Sequence, residues 1–434
     1  SAAGFIEDSK ATLKLRNFYI NNDNRDSGTK AAGAQSKAEE WGQGFQLDFT
    51  SGFTQGTVGF GIDAIGLLGV KLDSSTAKHG NPTGSNYGGT VFPSDGNHAV
   101  DDFSSLGLTA KAKISQTELR IGTLQPKLPV IVSNDGRMLP QTFQGGQITS
   151  SEFKDLTFTG GQIEHAKGRN SSNNEGLSIA GANNSVTGKF VNKFYYGGVD
   201  YKLNKDLLLQ YYYGNLEDFY KQNFLGLVHN WSIGPGVLKS DLRYFNSTDD
   251  GKNGHNSAYY TTGDYANSSA GSGKGKVDNN LISGLFLYTV EGHTFGGGYQ
   301  VSNGSSDFPF LNQGDGASAY IPTDMQISKF ARAGERTWQA RYSYDFAKVG
   351  VPGLTAGAVY LRGDNIDTYN SKNVQTSNGA SEWERDITVA YVIQEGTLKN
   401  LGFMWKNAMW RNDIASQRDQ DENRLIVSYS IPLL

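Results

Sequence analysis

Few side chains in this chain of 434 residues stand at spacings that could make or break bonds. The six histidines (His79, His98, His165, His229, His255 and His293) are scattered, and none forms an HExxH or i, i+4 metal pair. AGSGKGKV at 270–277 suggests a phosphate loop by eye. It lacks the glycine five residues before either GK, and neither lysine precedes Ser or Thr. DDGKNGHN at 249–256 has the composition of a calcium loop without its spacing. With no cysteine there is no disulfide scaffold, Cys-based metal site or thiol nucleophile. No cofactor or metal is therefore expected, and no catalytic residue. What does recur is a lysine or arginine at the polar positions of alternating segments: Arg16, Lys111, Lys113, Arg120, Arg341, Lys406 and Arg424. Guanidinium and ammonium groups can replace water around an anion, provided each contact is weak enough to release it to the next.

The elements that carry these groups are strands. In LGLTAKAKIS (106–115), Leu106, Leu108, Ala110, Ala112 and Ile114 share one parity, and Lys111 and Lys113 share the other. Similar segments recur at 10–20, 43–51, 56–65, 105–114, 117–124, 154–163, 175–180, 194–202 and 206–213. More follow at 222–231, 236–245, 281–289, 293–300, 336–346, 354–362, 384–392, 400–410 and 423–431, about eighteen in all. No amphipathic helix is long enough to form a second layer, and no compositional break marks a second domain, so 1–434 reads as one. Tight connections (51–56, 114–118, 203–206, 233–236, 290–293) contrast with long polar ones (21–40, 73–104, 125–153, 246–280, 301–335). That asymmetry is the pattern of a transmembrane antiparallel β-barrel with short periplasmic turns and long external loops. A soluble sandwich has moderate loops at both ends.

Composition agrees with the barrel. There are 23 Phe, 22 Tyr and 6 Trp beside 55 Gly and only 10 Pro. Hydrophobic residues make up 37% and no run of about 20 apolar residues occurs, which excludes a helical membrane protein but not a barrel. The net charge of -4 gives no support to a nucleic-acid partner. SAAGFIEDS has no basic, then apolar, export signal, so either there was none or it has been removed; a mature chain beginning after a small-residue cleavage site would have this form. Tyr211, Tyr212 and Tyr213, with Trp338, Tyr342, Tyr344 and Phe346, and with Trp405 and Trp410, suggest interfacial girdles, against core packing as the alternative.

The barrel reading fixes which face is inside. A lysine facing lipid at mid-membrane costs about 2–4 kcal/mol, so the leucines of 106–114 face lipid and Lys111 and Lys113 face the lumen. The same rule places Lys14, Arg16, Arg120, Lys239, Asp241, Arg243, Arg341, Lys406 and Arg424 inward. A cationic lumen attracts anions; the competing reading pairs these groups with inward acids such as Asp63, Asp345 and Asp386. Arg362 and Arg385 share parity with apolar neighbours, which calls for a bulge or a strand end there. In 125–143, Leu128, Pro129, Val130, Ile131 and Val132 precede Asn134, Asp135 and Gly136, and three prolines stiffen the run. It could constrict the lumen with an apolar wall and Arg137, or be an external loop that only packs, with Arg137 paired to Asp135.

SGFTQGTVGFGIDAIGLLGVKLD (51–73), LPQTFQGGQITSSEF (139–153), WQARYSYDFAKVGVPGLT (338–355), GFIEDS, RNFY and RLIVSYSIPLL resemble the OprD family of substrate-specific outer-membrane porins. The resemblance runs across nearly the whole chain and implies an 18-stranded barrel in a homotrimer, in the bacterial outer membrane, with constriction loops folded inward. It also implies a basic ladder that passes carboxylates. Arg16, Arg341, Arg424 and the loop residue Arg137 fall at matching positions, and Lys406 stands where relatives carry a basic residue. Met404 departs from the arginine of some members. The acidic loop residue of the basic-amino-acid branch falls at Ala317, with Asp315 close by, so the benzoate-like carboxylate branch is followed. The expectation is passive uptake of small, aromatic carboxylates. A basic-amino-acid channel, a barrel-based enzyme and a secreted β-rich binding protein are the alternatives.

Overall fold

The computed structural model describes residues 4–25, 37–74, 91–96, 98–179, 190–251, 276–312, 318–369 and 374–434. Period-2 alternation lets a chain bury one face and show the other, and here it is used eighteen times in one antiparallel sheet. The strands are β1 (Lys10–Asn24), β2 (Lys37–Thr50), β3 (Val58–Asp73), β4 (Asp102–Ile114), β5 (Thr117–Leu124) and β6 (Thr142–Ser150). They continue as β7 (Leu156–Lys167), β8 (Phe194–Asn204), β9 (Leu207–Leu216), β10 (Tyr220–Ile233), β11 (Gly236–Asp249) and β12 (Asp278–Val290). The last six are β13 (His293–Gly304), β14 (Arg336–Asp345), β15 (Leu354–Tyr369), β16 (Gln375–Val392), β17 (Gly402–Asn412) and β18 (Gln420–Pro432). β1 pairs with β18 from Thr12↔Pro432 to Asn24↔Gln420, closing the sheet into a barrel. Closure leaves no edge, which the bilayer requires.

The apolar parity is the exposed one. Leu106 and Leu108 are 71% and 53% exposed, whereas Lys111 on the opposite parity is 5% exposed. A soluble protein would invert this; a lipid-facing barrel demands it. Turns of a few residues join the strands at one end, for example at 115–116, 205–206, 234–235 and 291–292. The long connections all leave from the other end.

One expected strand is corrected. The segment 175–179 is no wall strand: Ser178 and Ile179 pair with a loop and Glu175 and Leu177 make isolated bridges to Ala166 and Val191, and the eighteenth wall strand is β6. The aromatic reading also needs one correction. Tyr212 (1% exposed) and Trp410 (3%) point inward, while Tyr211 and Trp405 face out.

Two loops fill the barrel, 125–141 and, over its described residues 305–312 and 318–335, a second one. On one side they rest on an apolar core. Phe143, Phe194, Phe224 and Phe245 of the inward wall meet Val130 and Ile131 of the first loop and Phe308, Leu311 and Ile321 of the second. Phe18, Ile20, Phe92 and Phe103 receive Met138 and Leu139 in a smaller core. The loops thus rest on these two cores, and a lumen is left along β14–β18.

Candidate functional site

Between the loops and that wall lies a cavity of about 800 Å³. Its charged lining is Arg137, Arg169, Lys329, Arg341, Lys406 and Arg424 against Asp324 and Asp386. Arg341, Lys406 and Arg424 come from β14, β17 and β18, where inward parity aims them at one volume. Arg137 reaches it from the 125–141 loop.

The arginines also hold the loops. Arg424 donates from Nε to Glu422 at 2.6 Å, from Nη1 to the Gly136 carbonyl at 3.3 Å and from Nη2 to the Gln326 carbonyl at 3.0 Å. One guanidinium therefore ties the two constriction loops together. Arg16 grips the first loop through Asp135 (2.7 Å) and the Arg137 carbonyl (2.8 Å). Arg341 donates to the Pro322 carbonyl at 2.6 Å, and Arg243 to the Tyr320 carbonyl at 3.1 Å while stacking 3.8 Å over its ring. Lys406 differs: it makes no hydrogen bond or ion pair with any of the described residues, and its ammonium is left to the cavity.

Several expected site residues sit elsewhere. Lys111 is turned inward but is consumed near the periplasmic mouth, 2.8 Å from Asp63 and donating to the Ser51 carbonyl at 2.6 Å. Its stem lies where a Cβ at Gly61 would come within 2.6 Å of Cε, so glycine is required opposite it. Arg120 shares the same Asp63 at 2.7 Å and Glu118 at 3.2 Å. Lys113 lies 5.8 Å over the Phe53 ring. Lys111 and Arg120 follow the acid-paired reading and not the free ladder.

The apolar wall of the constriction is likewise corrected. Val130 is 6% exposed and Leu128 packs against the same core, so both face the barrel wall, where burial outweighs any contact with a solute in water. Asn134 lines the cavity and donates to Ser318 at 2.9 Å. Asp135 pairs with Arg16 at 2.7 Å. Asp315 and Ala317 lie outside the described residues. The ladder runs in register through Arg385 with no bulge, whereas beside Arg362 the register shifts between Gly363 and Ile366, an irregularity of the kind expected; both arginines face outward.

Of the acids that seat the second loop, Asp386 was expected inward from sequence, but Glu382 and Glu384 were not singled out. Glu382, Glu384 and Asp386 alternate along β16 and all point inward. Glu384 accepts from the backbone N–H groups of Ile327 (3.1 Å) and Ser328 (2.8 Å), and Asp386 accepts from that of Gln326 (3.2 Å). Glu382 accepts from Ser328 Oγ at 2.5 Å and Trp410 Nε1 at 2.9 Å. The i, i+2, i+4 spacing of three acids in SEWERDIT was the available signal. At the foot of the loop, Glu335 is buried beside Glu382, and burial and that neighbouring carboxyl push it well above the usual carboxylate range.

A closed eighteen-strand barrel, short-turned at one end and narrowed by inward loops over a charged cavity, is an outer-membrane channel through which small solutes pass. Residues 3–433 match the family model described as outer membrane porin, OprD family, and the chain belongs to that family. It is 61% identical to OccK8 (OprE) of Pseudomonas aeruginosa, whose structure it matches over 100% of both chains with a TM-score of 0.88. The porin-like protein GalP of Pseudomonas putida is 37% identical over 100% of this chain and 94% of its own length. OpdK of Pseudomonas aeruginosa, solved with vanillate, is 34% identical over 99% of this chain and 100% of its own, with a TM-score of 0.83. These relatives are channels of the Gram-negative outer membrane, not enzymes.

Proposed function

We propose that this porin admits small carboxylate-bearing solutes, aromatic ones among them, by passive diffusion along the basic wall of its lumen. The observation that carries the proposal is the constriction cavity, where six cations face two carboxylates and the Lys406 ammonium has no protein partner. A carboxylate entering there exchanges water for charge-assisted hydrogen bonds. Arg137, Arg341 and Arg424 supply the neighbouring positive field. Because those arginines are partly spent on the loops, no single contact is strong enough to trap the solute. Vanillate, the aromatic acid found with OpdK, has the chemistry this wall suits. The homotrimer implied by the resemblance belongs to the same proposal, and a mass of one chain in mild detergent would oppose it.

The experiment is the reversal potential of the purified protein in a planar bilayer under a gradient of potassium benzoate. A potential carried by benzoate supports the proposal. A channel passing only potassium overturns the carboxylate assignment while leaving the porin in place.

A further inference from the structure

Arg362 and Arg385 stand on the lipid-facing parity, with Tyr360 and Ile387. Arg336 on β14 shares it, with Trp338 and Ala340. Arg336 and Arg362 each follow directly on the apolar outward run of their strand, toward the loop end, and Arg385 lies between Ile387 and Trp383 on the outward face of β16. At that step other strands place a neutral amide: Asn223 after Leu225, Asn280 after Ile282, Asn423 after Leu425. Three adjacent strands therefore carry a row of guanidinium groups outside the barrel.

The row rests on an aromatic shelf. Trp338 and Trp383 are the cross-strand partners of Arg362 on either side, and Tyr360 opposes Arg385. Ring centroids are 5.3 Å apart for Trp338 and Tyr360 and 5.8 Å for Tyr360 and Trp383. Trp and Tyr so placed mark headgroup depth, where an outward arginine is tolerated. The charge there is unbalanced. Asp364 takes one nitrogen of Arg362 at 3.3 Å and also accepts from Ser381. Arg336 makes no hydrogen bond or ion pair with a described residue. Arg385 donates one Nη to Asn407, and its buried Nε has no acceptor among the described residues. The next outward arginine, Arg411, is committed to Asp421 at 2.9 Å.

We propose that Arg336, Arg362 and Arg385 form an external binding site for a phosphate of the phosphorylated glycolipid in the outer leaflet. Guanidinium forks match phosphate oxygens, and the low dielectric beside the acyl region strengthens each contact. The site lies on the opposite side of the wall from the lumen, so it is independent of what the channel transports.

The test is native mass spectrometry of the detergent-released protein titrated with lipopolysaccharide, with enzymatically dephosphorylated lipopolysaccharide, and with inorganic phosphate. The expected result is a one-to-one adduct with the phosphorylated lipid alone. It should weaken at least about tenfold in the R336Q/R362Q/R385Q triple variant and return largely in the R336K/R362K/R385K triple. Single-channel conductance should not change. An adduct of equal strength with dephosphorylated lipid, or an undiminished one in the glutamine triple, overturns the site. Inorganic phosphate binding as tightly as the lipid overturns the lipid assignment. Heat-modifiable gel migration checks folding. If the triple does not fold, Arg385→Gln and the wild-type comparison of the two lipids decide the matter.

Discussion

At the scale of single residues, the same side-chain type does two different jobs on the inner wall, and burial with partners separates them. Lys406 faces the cavity with no protein partner, whereas Lys111 has a side chain 3% exposed and bound to Asp63. Replacing Lys406 by Gln should remove about 1 kcal/mol of attraction for a passing carboxylate, an effect of roughly fivefold on the benzoate-to-potassium permeability ratio with folding intact. Replacing Lys111 by Met should leave that ratio alone and lower stability by about 1–3 kcal/mol, because the Ser51 carbonyl loses its donor while Arg120 still neutralises Asp63. Bilayer reversal potentials and urea unfolding of both variants check the pair; equal selectivity losses would undo the distinction. Alternation placed both lysines inward in the sequence, but nothing in AKAKIS says that Asp63 lies across the ladder. The partner is 48 residues away and becomes a neighbour only through β3–β4 pairing.

At the scale of elements, the constriction loops are packed on one side and hydrogen-bonded on the other, and that asymmetry leaves the pore where the cations are. Alternation located nearly every strand because lipid and water on opposite faces enforce it. It failed at β6, TFQGGQITS, where paired glycines and glutamines leave Ile148 as the main outward apolar group, and 175–180 imitated the pattern instead. The seat of the 305–335 loop was illegible for another reason. An acid on a strand looks the same whether it lines water or accepts backbone N–H groups from a loop some 60 residues earlier. Glu335 offers the test of this seat. In the unfolded chain it ionises near about 4.3, but beside Glu382 its folded value is well above that. Its contribution to stability is therefore complete below about pH 4.3 and is lost as the pH rises through the raised folded value. Thermal midpoints followed from pH 4.5 to 9 should fall in the wild type and fall less in Glu335→Gln, whose amide keeps a donor toward Glu382. Parallel slopes would show that the pair does not share a proton.

For the whole molecule, one choice governs everything else: the apolar parity faces outward. It sets the cationic groups inside, forces closure between β1 and β18, and leaves only the girdle for outward charge. Hydropathy cannot reveal this, since a mean of -0.48 is that of a water-soluble chain; alternation and loop asymmetry together can. The choice is measurable on a single strand. Leu108 stands outward in the middle of β4, and Ser104 stands outward near its loop end. Arginine at 108 should cost about 2–4 kcal/mol of folding free energy into lipid vesicles, and arginine at 104 only about 0–1 kcal/mol. A soluble architecture with buried leucines would also suffer at 108, so the informative comparison is depth. Moving the arginine to Leu106 should give an intermediate cost in vesicles and no such gradient when the same variants are unfolded from detergent micelles, where the thickness of the apolar layer adapts to the protein. A cost independent of position in vesicles would mean that this face does not meet a bilayer of fixed depth, and the orientation of every inward lysine and arginine would have to be reconsidered.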